Sequence, residues 1–106
     1  MSLFDIFKKT DINTEVEKLK DISGAVLLDV RDKDEYDSGH IPESINTPVK
    51  DIQNVTAKIP DLNTPVFVYC LSGARASRAV QAMKAVGYTN VKNIGGISAY
   101  TGNKVK

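Results

Sequence analysis

The sequence predicts an α/β domain with a mainly parallel central sheet covered by helices on both faces. Three observations carry that prediction. The runs Ala25-Val26-Leu27-Leu28-Asp29-Val30 and Pro65-Val66-Phe67-Val68-Tyr69, apolar but for Asp29, show no alternation, the pattern of strands buried on both sides. Segments with helical spacing alternate with these runs and with two weaker strand signals, as in a sheet built by crossover helices. The third is size. A chain of 106 residues with 42% apolar and 25% charged residues makes one domain with one core.

The elements follow in order. Asn13 or Thr14 is positioned to cap a short helix running to about Lys20, with Val16, Leu19 and the stem of Lys20 turned inward. Ser23-Gly24 interrupts it, and residues 25–30 form the first buried strand. Asp32 opens a charged helical turn through Tyr36, closed by Ser38-Gly39. Ile45 marks a short strand after Pro42, ended by Pro48. Asp51 is positioned to cap a helix carrying Ile52, Val55 and Ile59, which stops before Pro60. Residues 65–69 form the second buried strand. Ala76, Val80, Met83 and Gly87 then share a helical face flanked by Ala79 and Val86, and Gly87 is suited to a left-handed helix end. Residues 91–94 read as a strand, Gly95-Gly96 as a tight turn, and residues 97–100 as a last turn or short helix. The domain body spans about residues 10–103, preceded by an extension of residues 1–9.

Bulk charge narrows the function. A net charge of +1 offers no general case for binding nucleic acid or an anionic membrane. The extension Met1-Ser2-Leu3-Phe4-Asp5-Ile6-Phe7-Lys8-Lys9 has no basic lead, and Asp5 breaks its apolar residues. It reads as a small amphipathic cap packing on the domain rather than a signal peptide or a membrane span. A single cysteine and a single histidine leave no internal disulfide and no ready metal site, so neither a metal nor a cofactor is expected. A reducing, cytoplasmic setting fits this usage.

That cysteine, Cys70, carries the chemistry. It ends the second buried strand and is followed by Leu71-Ser72-Gly73-Ala74-Arg75-Ala76-Ser77-Arg78, a short glycine-bearing loop that runs into a helix. The thiol therefore lies at the carboxyl edge of the sheet, where open α/β sheets bind ligands, and a nucleophile there has to face water rather than the interior. Free main-chain N–H groups and the positive end of the helix favour negative charge on sulfur and attract an anion. Gly73 allows the tight curl. Only three arginines exist, and two of them, Arg75 and Arg78, fall within eight residues after Cys70.

Three stretches together resemble the rhodanese-like domains. Leu28-Asp29-Val30-Arg31, Glu35-Tyr36 and Gly39-His40-Ile41-Pro42-Glu43-Ser44-Ile45-Asn46 resemble their amino-terminal signature. Tyr69-Cys70-Leu71-Ser72-Gly73-Ala74-Arg75-Ala76 resembles their active-site loop. Gly87-Tyr88-Thr89-Asn90-Val91 with Gly95-Gly96-Ile97 resembles their closing segment. The matches keep the family's order over nearly the whole chain.

The resemblance implies a rhodanese-like fold and a single-domain sulfurtransferase. In such enzymes the loop cysteine takes a sulfane sulfur from a donor, holds it as a persulfide and passes it to a thiophilic acceptor, a thiol or a cyanide-like nucleophile. Here Cys70 would be the catalytic residue, and Leu71, Ser72, Gly73, Ala74, Arg75 and Ala76 the loop that receives the anion. Arg75 offers planar donors to an oxyanion or carboxylate, since a cation in a first helical turn is poorly placed without an anion nearby. Arg78 reads as solvated. The Asp29-Val30-Arg31 segment braces the loop in this family. Arg31 is free to pair with Asp29 or Glu35, or to reach the anion. His40 is expected to fasten a turn rather than to act as the base for Cys70. Tyr100, where many relatives carry tryptophan, is expected to pack.

The chain departs from thiosulfate-specific relatives in having Leu71 and Ser72, not basic residues, after the cysteine. That turns the expected donor from thiosulfate toward a polysulfide or low-molecular-weight persulfide, with Leu71 as an apolar wall for an organic thiol. Two other readings compete. Phosphatases and arsenate reductases of this architecture need a wider loop, and the four residues between Cys70 and Arg75 leave this one a residue short, with Ala76 at the position of the arginine. A non-catalytic rhodanese-like module, serving as scaffold or as carrier of sulfur to one acceptor protein, is the second.

Overall fold

Four strands in the order β2-β1-β3-β4, all parallel, form the sheet. They are β1 (Val26–Asp29), β2 (Ile45–Asn46), β3 (Val66–Cys70) and β4 (Val91–Gly96) in a computed structural model that describes residues 10–106. The helices are α1 (Ile12–Lys20), α2 (Lys33–Ser38) and α3 (Ala74–Val86), joined by a 3-10 helix (Val49–Ala57) and a 3-10 turn (Ile97–Ala99). The residues 1–9, read above as an amphipathic cap, lie outside the described residues.

Strand periodicity sorts the core into two layers. Leu28, Val66, Val68 and Cys70 point to one face, where Ala76, Ala79 and Met83 of α3 and Val55 of the 3-10 helix cover them. Leu27, Phe67 and Tyr69 point to the other, under Ile12 and Val16 of α1 and Ile97. Helices on both faces are thus the direct consequence of two central strands that carry apolar residues on both sides. Because all strands run the same way, their carboxyl ends share one edge, and Cys70 sits on it at the middle of the sheet.

Several local expectations give way to tertiary contacts. Asp11, not Asn13 or Thr14, caps α1, since its carboxylate accepts from the Asn13 N–H at 3.0 Å and from Thr14 Oγ1 at 3.1 Å. This leaves the Asn13 side chain free to donate to the Ala99 carbonyl at 3.1 Å and to accept from the Thr101 N–H at 2.9 Å. Ile12 and Glu15 are buried where Lys20 was expected to turn in; Lys20 is exposed and pairs with Glu17 at 3.0 Å. Asp51 does not cap an α-helix. The segment is 3-10, begins after Pro48 and is kinked at Asp51 itself (φ −109°, ψ 16°). Val86 faces solvent rather than flanking the buried face of α3. Gly87 does end α3 with positive φ (126°), its N–H reaching the Met83 and Lys84 carbonyls.

Gly95-Gly96 is no turn. Both residues continue β4, where Tyr69 pairs with Gly95 and Cys70 with Gly96 after a bulge that skips Ile94. The reason is close approach. A Cβ on Gly96 would lie 2.0 Å from the Leu71 carbonyl oxygen, so only glycine lets the loop after Cys70 cross the strand.

Candidate active site at the carboxyl edge

The loop after β3 curls back on the cysteine. Gly73 adopts φ 109°, a left-handed geometry that glycine takes at little cost, and so turns its N–H toward the sulfur. Cys70 Sγ accepts from the Gly73 N–H at 3.0 Å and from the Ala76 N–H at 3.4 Å. Both donors belong to the start of α3, whose thirteen residues align their peptide dipoles toward the same point. The cradle is therefore main-chain, as expected for a loop of small residues.

The sulfur does not face water. Cys70 has no exposed surface and belongs to the core layer under α3. Strand periodicity puts its side chain on the Val66 and Val68 face, and the loop closes over it. Leu71 and Ser72, both exposed, form the outer part of that loop.

Two open clefts border the loop. One of about 480 Å³ is lined by Ser72, Gly73, Asn93, Gly95 and Ser98 and has no charged side chain in its lining. The other, about 390 Å³, is lined by Arg31, Glu35, Leu71, Ile97, Ser98 and Lys104. Leu71 is 48% exposed at its rim.

The two arginines nearest this chemistry are both engaged by carboxylates. Arg75 donates to Glu35 through Nη1 at 2.7 Å and Nη2 at 3.0 Å, a two-bond pair. Hydrogen bonding to Arg75 holds the Glu35 carboxyl below its ordinary value, and the Glu35 contact raises Arg75 in return. Glu35 also accepts from the Asp32 N–H at 3.2 Å, so α2 fixes the carboxylate before Arg75 meets it. Arg78 is exposed.

Arg31 pairs with Asp29, not Glu35. Its Nε lies 3.1 and 3.0 Å from the two Asp29 oxygens and its Nη2 2.7 Å from Oδ2, with a second Nη2 bond to the Gly39 carbonyl at 2.7 Å. Asp29 is completely buried and Arg31 nearly so. Burial alone would lower the guanidinium, but Asp29 outweighs it and Arg31 stays above its ordinary value. The pair spans β1 and the turn at Gly39, which is a bracing arrangement.

His40 stands apart from the sulfur chemistry. Its ring stacks on Tyr36 with centroids 3.7 Å apart, and Nδ1 meets the Tyr36 carbonyl at 2.9 Å. It fastens the end of α2. Tyr100 packs, half-buried, against the layer under α1. Tyr69, beside Cys70, uses its hydroxyl to accept from the Ile41 N–H at 3.2 Å, and burial pushes that phenol well up.

Asn93 is the residue of the site that the motif reading passed over. Its Nδ2 donates to the Gly73 carbonyl at 2.9 Å, and its Oδ1 accepts from the Gly95 N–H at 2.8 Å. The available signal was an asparagine two residues before a glycine pair, since short amides commonly satisfy main chain around irregular backbone. Among the described residues no three metal-ligating side chains gather, and no helix is long and apolar enough to cross a membrane.

Known proteins share the sequence pattern and the fold of this chain. The rhodanese-like domain family matches residues 13–103. The thiosulfate sulfurtransferase PspE of Escherichia coli (strain K12) is 35% identical over 80 residues, which cover 74% of this chain and 77% of that protein. The structure of a rhodanese with anions from E. coli superposes with a TM-score of 0.72 at 34% identity, covering 77% of this chain and 98% of the other. The human single-domain sulfurtransferase TSTD1 also gives a TM-score of 0.72, at 27% identity, over 82% of this chain and 89% of its own.

Proposed function

The chain belongs to the rhodanese-like domain family and is a rhodanese-type sulfurtransferase, and we propose that it works through a persulfide on Cys70. The observation that carries this reading is the pair of main-chain N–H groups, Gly73 and Ala76, directed at Sγ from the first turn of α3. Such donors stabilise negative sulfur without a partner base, and the ring of His40 is occupied elsewhere.

The reaction is a double displacement. The Cys70 thiolate attacks the sulfane sulfur of a donor, the donor's bond to that sulfur breaks, and the donor departs with the electron pair. The terminal sulfur of the resulting persulfide is then attacked by an acceptor nucleophile, and the Cys70 thiolate leaves. Each step breaks one bond to the moving sulfur and forms another, so no external oxidant or reductant is needed. The same cradle that holds the thiolate serves the terminal persulfide charge.

The donor is a polysulfide or a low-molecular-weight persulfide in preference to thiosulfate. Leu71 and Ser72 bring no charge to the loop, and the guanidinium groups of Arg75 and Arg31 are already matched by Glu35 and Asp29. Leu71 supplies an apolar contact at the cleft for the organic part of a thiol. The acceptor is a small thiol, a cyanide-like nucleophile or the thiol of a partner protein, and a reducing cytoplasm suits an enzyme whose lone cysteine has to stay free.

The test is mass spectrometry of the intact protein after exposure to glutathione persulfide, inorganic polysulfide and thiosulfate in parallel. One added sulfur, located on Cys70 and formed fastest with the first two, is the expected result. Cys70→Ser should abolish transfer and keep the cooperative unfolding transition. No adduct with any of the three donors removes the persulfide reading.

A further inference from the structure

We propose that Asn93 is a positioning residue for Cys70, a side-chain clamp that sets how the loop presents its N–H groups to sulfur. The proposal rests on the reading of Cys70 as the nucleophile and adds a residue to its machinery.

The argument begins at the bulge in β4. Val68 pairs with Asn93 and Tyr69 pairs with Gly95, so Ile94 is skipped and the strand is locally re-aimed. The displaced backbone leaves the Gly95 N–H pointing to the Asn93 side chain, whose Oδ1 accepts it at 2.8 Å. That contact fixes which end of the amide is acceptor. The donor end therefore points the other way and meets the Gly73 carbonyl at 2.9 Å. One side chain thus joins the sheet to the loop's critical residue.

Gly73 is the residue that needs such a joint. It holds a left-handed conformation (φ 109°, ψ −15°), and its N–H makes the shorter of the two bonds to Sγ, at 3.0 Å. Glycine has no side chain to restrain it and visits many conformations at similar cost. Its carbonyl and N–H flank the same α-carbon, so a hold on the carbonyl constrains the direction of the N–H. The Gly73 carbonyl also accepts from the Ser77 N–H at 3.0 Å, so Asn93 completes a grip that the helix begins. Without Asn93 the loop remains attached through Ser77 and through the Ser98 N–H on the Leu71 carbonyl at 3.1 Å. The loop then stays in place but the Gly73 N–H is less well aimed.

The charged groups around the loop do not change with this substitution. Arg75 is paired with Glu35, Arg31 with Asp29, and Lys92, next to Asn93 in sequence, with Glu15 at 2.8 Å. A change in sulfur reactivity after Asn93 is altered therefore reports on the cradle rather than on a freed charge.

The experiment compares the parent with Asn93→Ala and Asn93→Ser. The serine hydroxyl is uncharged, is able to accept from the Gly95 N–H as short polar side chains do around irregular backbone, and is too short to hold the Gly73 carbonyl, so it preserves the bulge if alanine does not. The readouts are the rate of Cys70 alkylation by iodoacetamide against pH and hydrogen exchange at the Gly73 amide. A less well-aimed donor weakens the hydrogen bond to charged sulfur, so alkylation at neutral pH should be about tenfold slower. Faster exchange at Gly73 should accompany it. A folded variant whose alkylation profile and Gly73 exchange superimpose on the parent's overturns the proposal. Alkylation needs no sulfur donor, so this outcome is separable from failure of the persulfide reading, which the mass measurement on the parent decides by itself.

Discussion

The loops leaving β1 and β3 start from paired positions, Asp29 beside Tyr69, yet they handle charge in opposite ways. After β1 the chain buries two formal charges, and Arg31 spends its donors on Asp29 and on the Gly39 carbonyl. After β3 it buries one sulfur atom and surrounds it with main-chain N–H groups. Side-chain charges can rotate to neutralise each other, and these have done so. Peptide dipoles are fixed by the helix that carries them, so their field stays directed at whatever occupies the loop. The first arrangement joins β1 to the turn at Gly39, and the second leaves directed main-chain donors at the sulfur.

The largest effect that bears on this contrast is expected from Asp29→Asn. It leaves Arg31 buried without its counter-charge and should cost about 3–5 kcal/mol by urea unfolding, as for other broken buried pairs. A loss below about 1 kcal/mol would show that the pair does not brace the fold. Gly96→Ala attacks the other loop, since the new methyl would lie 2.0 Å from the Leu71 carbonyl oxygen. It should cost about 1–3 kcal/mol of stability, with sulfur transfer falling further than the stability loss explains. Parent-like turnover would mean that the seat of the loop on β4 is unimportant for the cradle.

Arg75→Ala sharpens the comparison at intermediate scale. If this arginine serves anions as well as Glu35, kcat/KM should fall about fivefold for thiosulfate, equivalent to about 1 kcal/mol, and less for a neutral persulfide donor. Equal losses for the two donors would place Arg75 with the braces. The smallest effect concerns acid. Arg75 holds the folded-state Glu35 carboxyl below its ordinary 4.5, so the pair's contribution is complete above that value and disappears as pH falls through the lower folded value. The pair is partly exposed and screened, which limits the contribution to about 0–1 kcal/mol. The stability difference between the parent and Glu35→Gln should therefore shrink on acidification; a difference independent of pH would remove the ion pair as its cause.

Much of this architecture was legible along the chain. The two long apolar runs became β1 and β3, the central strands, because burial on both faces favours apolar side chains at successive positions, and the one carboxylate in them, Asp29, is matched by Arg31. The loop from Cys70 to Ala76 could be placed because a strand end, a glycine and a helix start lie within seven residues. Less could be read where side chains choose among close alternatives. Asp11 displaced Asn13 as helix cap because Asn13 was needed against Ala99 and Thr101, partners far away in sequence. Glu35 belonged to Arg75 and not to Arg31, because Asp29 meets Arg31 within the same short segment and α3 carries Arg75 to Glu35.

What the sequence by itself determined is the kind of fold, the position of the thiol on the sheet's carboxyl edge and the small residues that let main chain approach it. These follow from local quantities: hydrophobic period, helix starts and the conformational range of glycine. Only the tertiary structure decided that Gly95 and Gly96 continue a strand, that Asn93 grips the loop and that the sulfur lies beneath its own cradle. Each of those depends on two segments meeting at hydrogen-bond distance, and sequence spacing carries no record of which carbonyl will cross which strand.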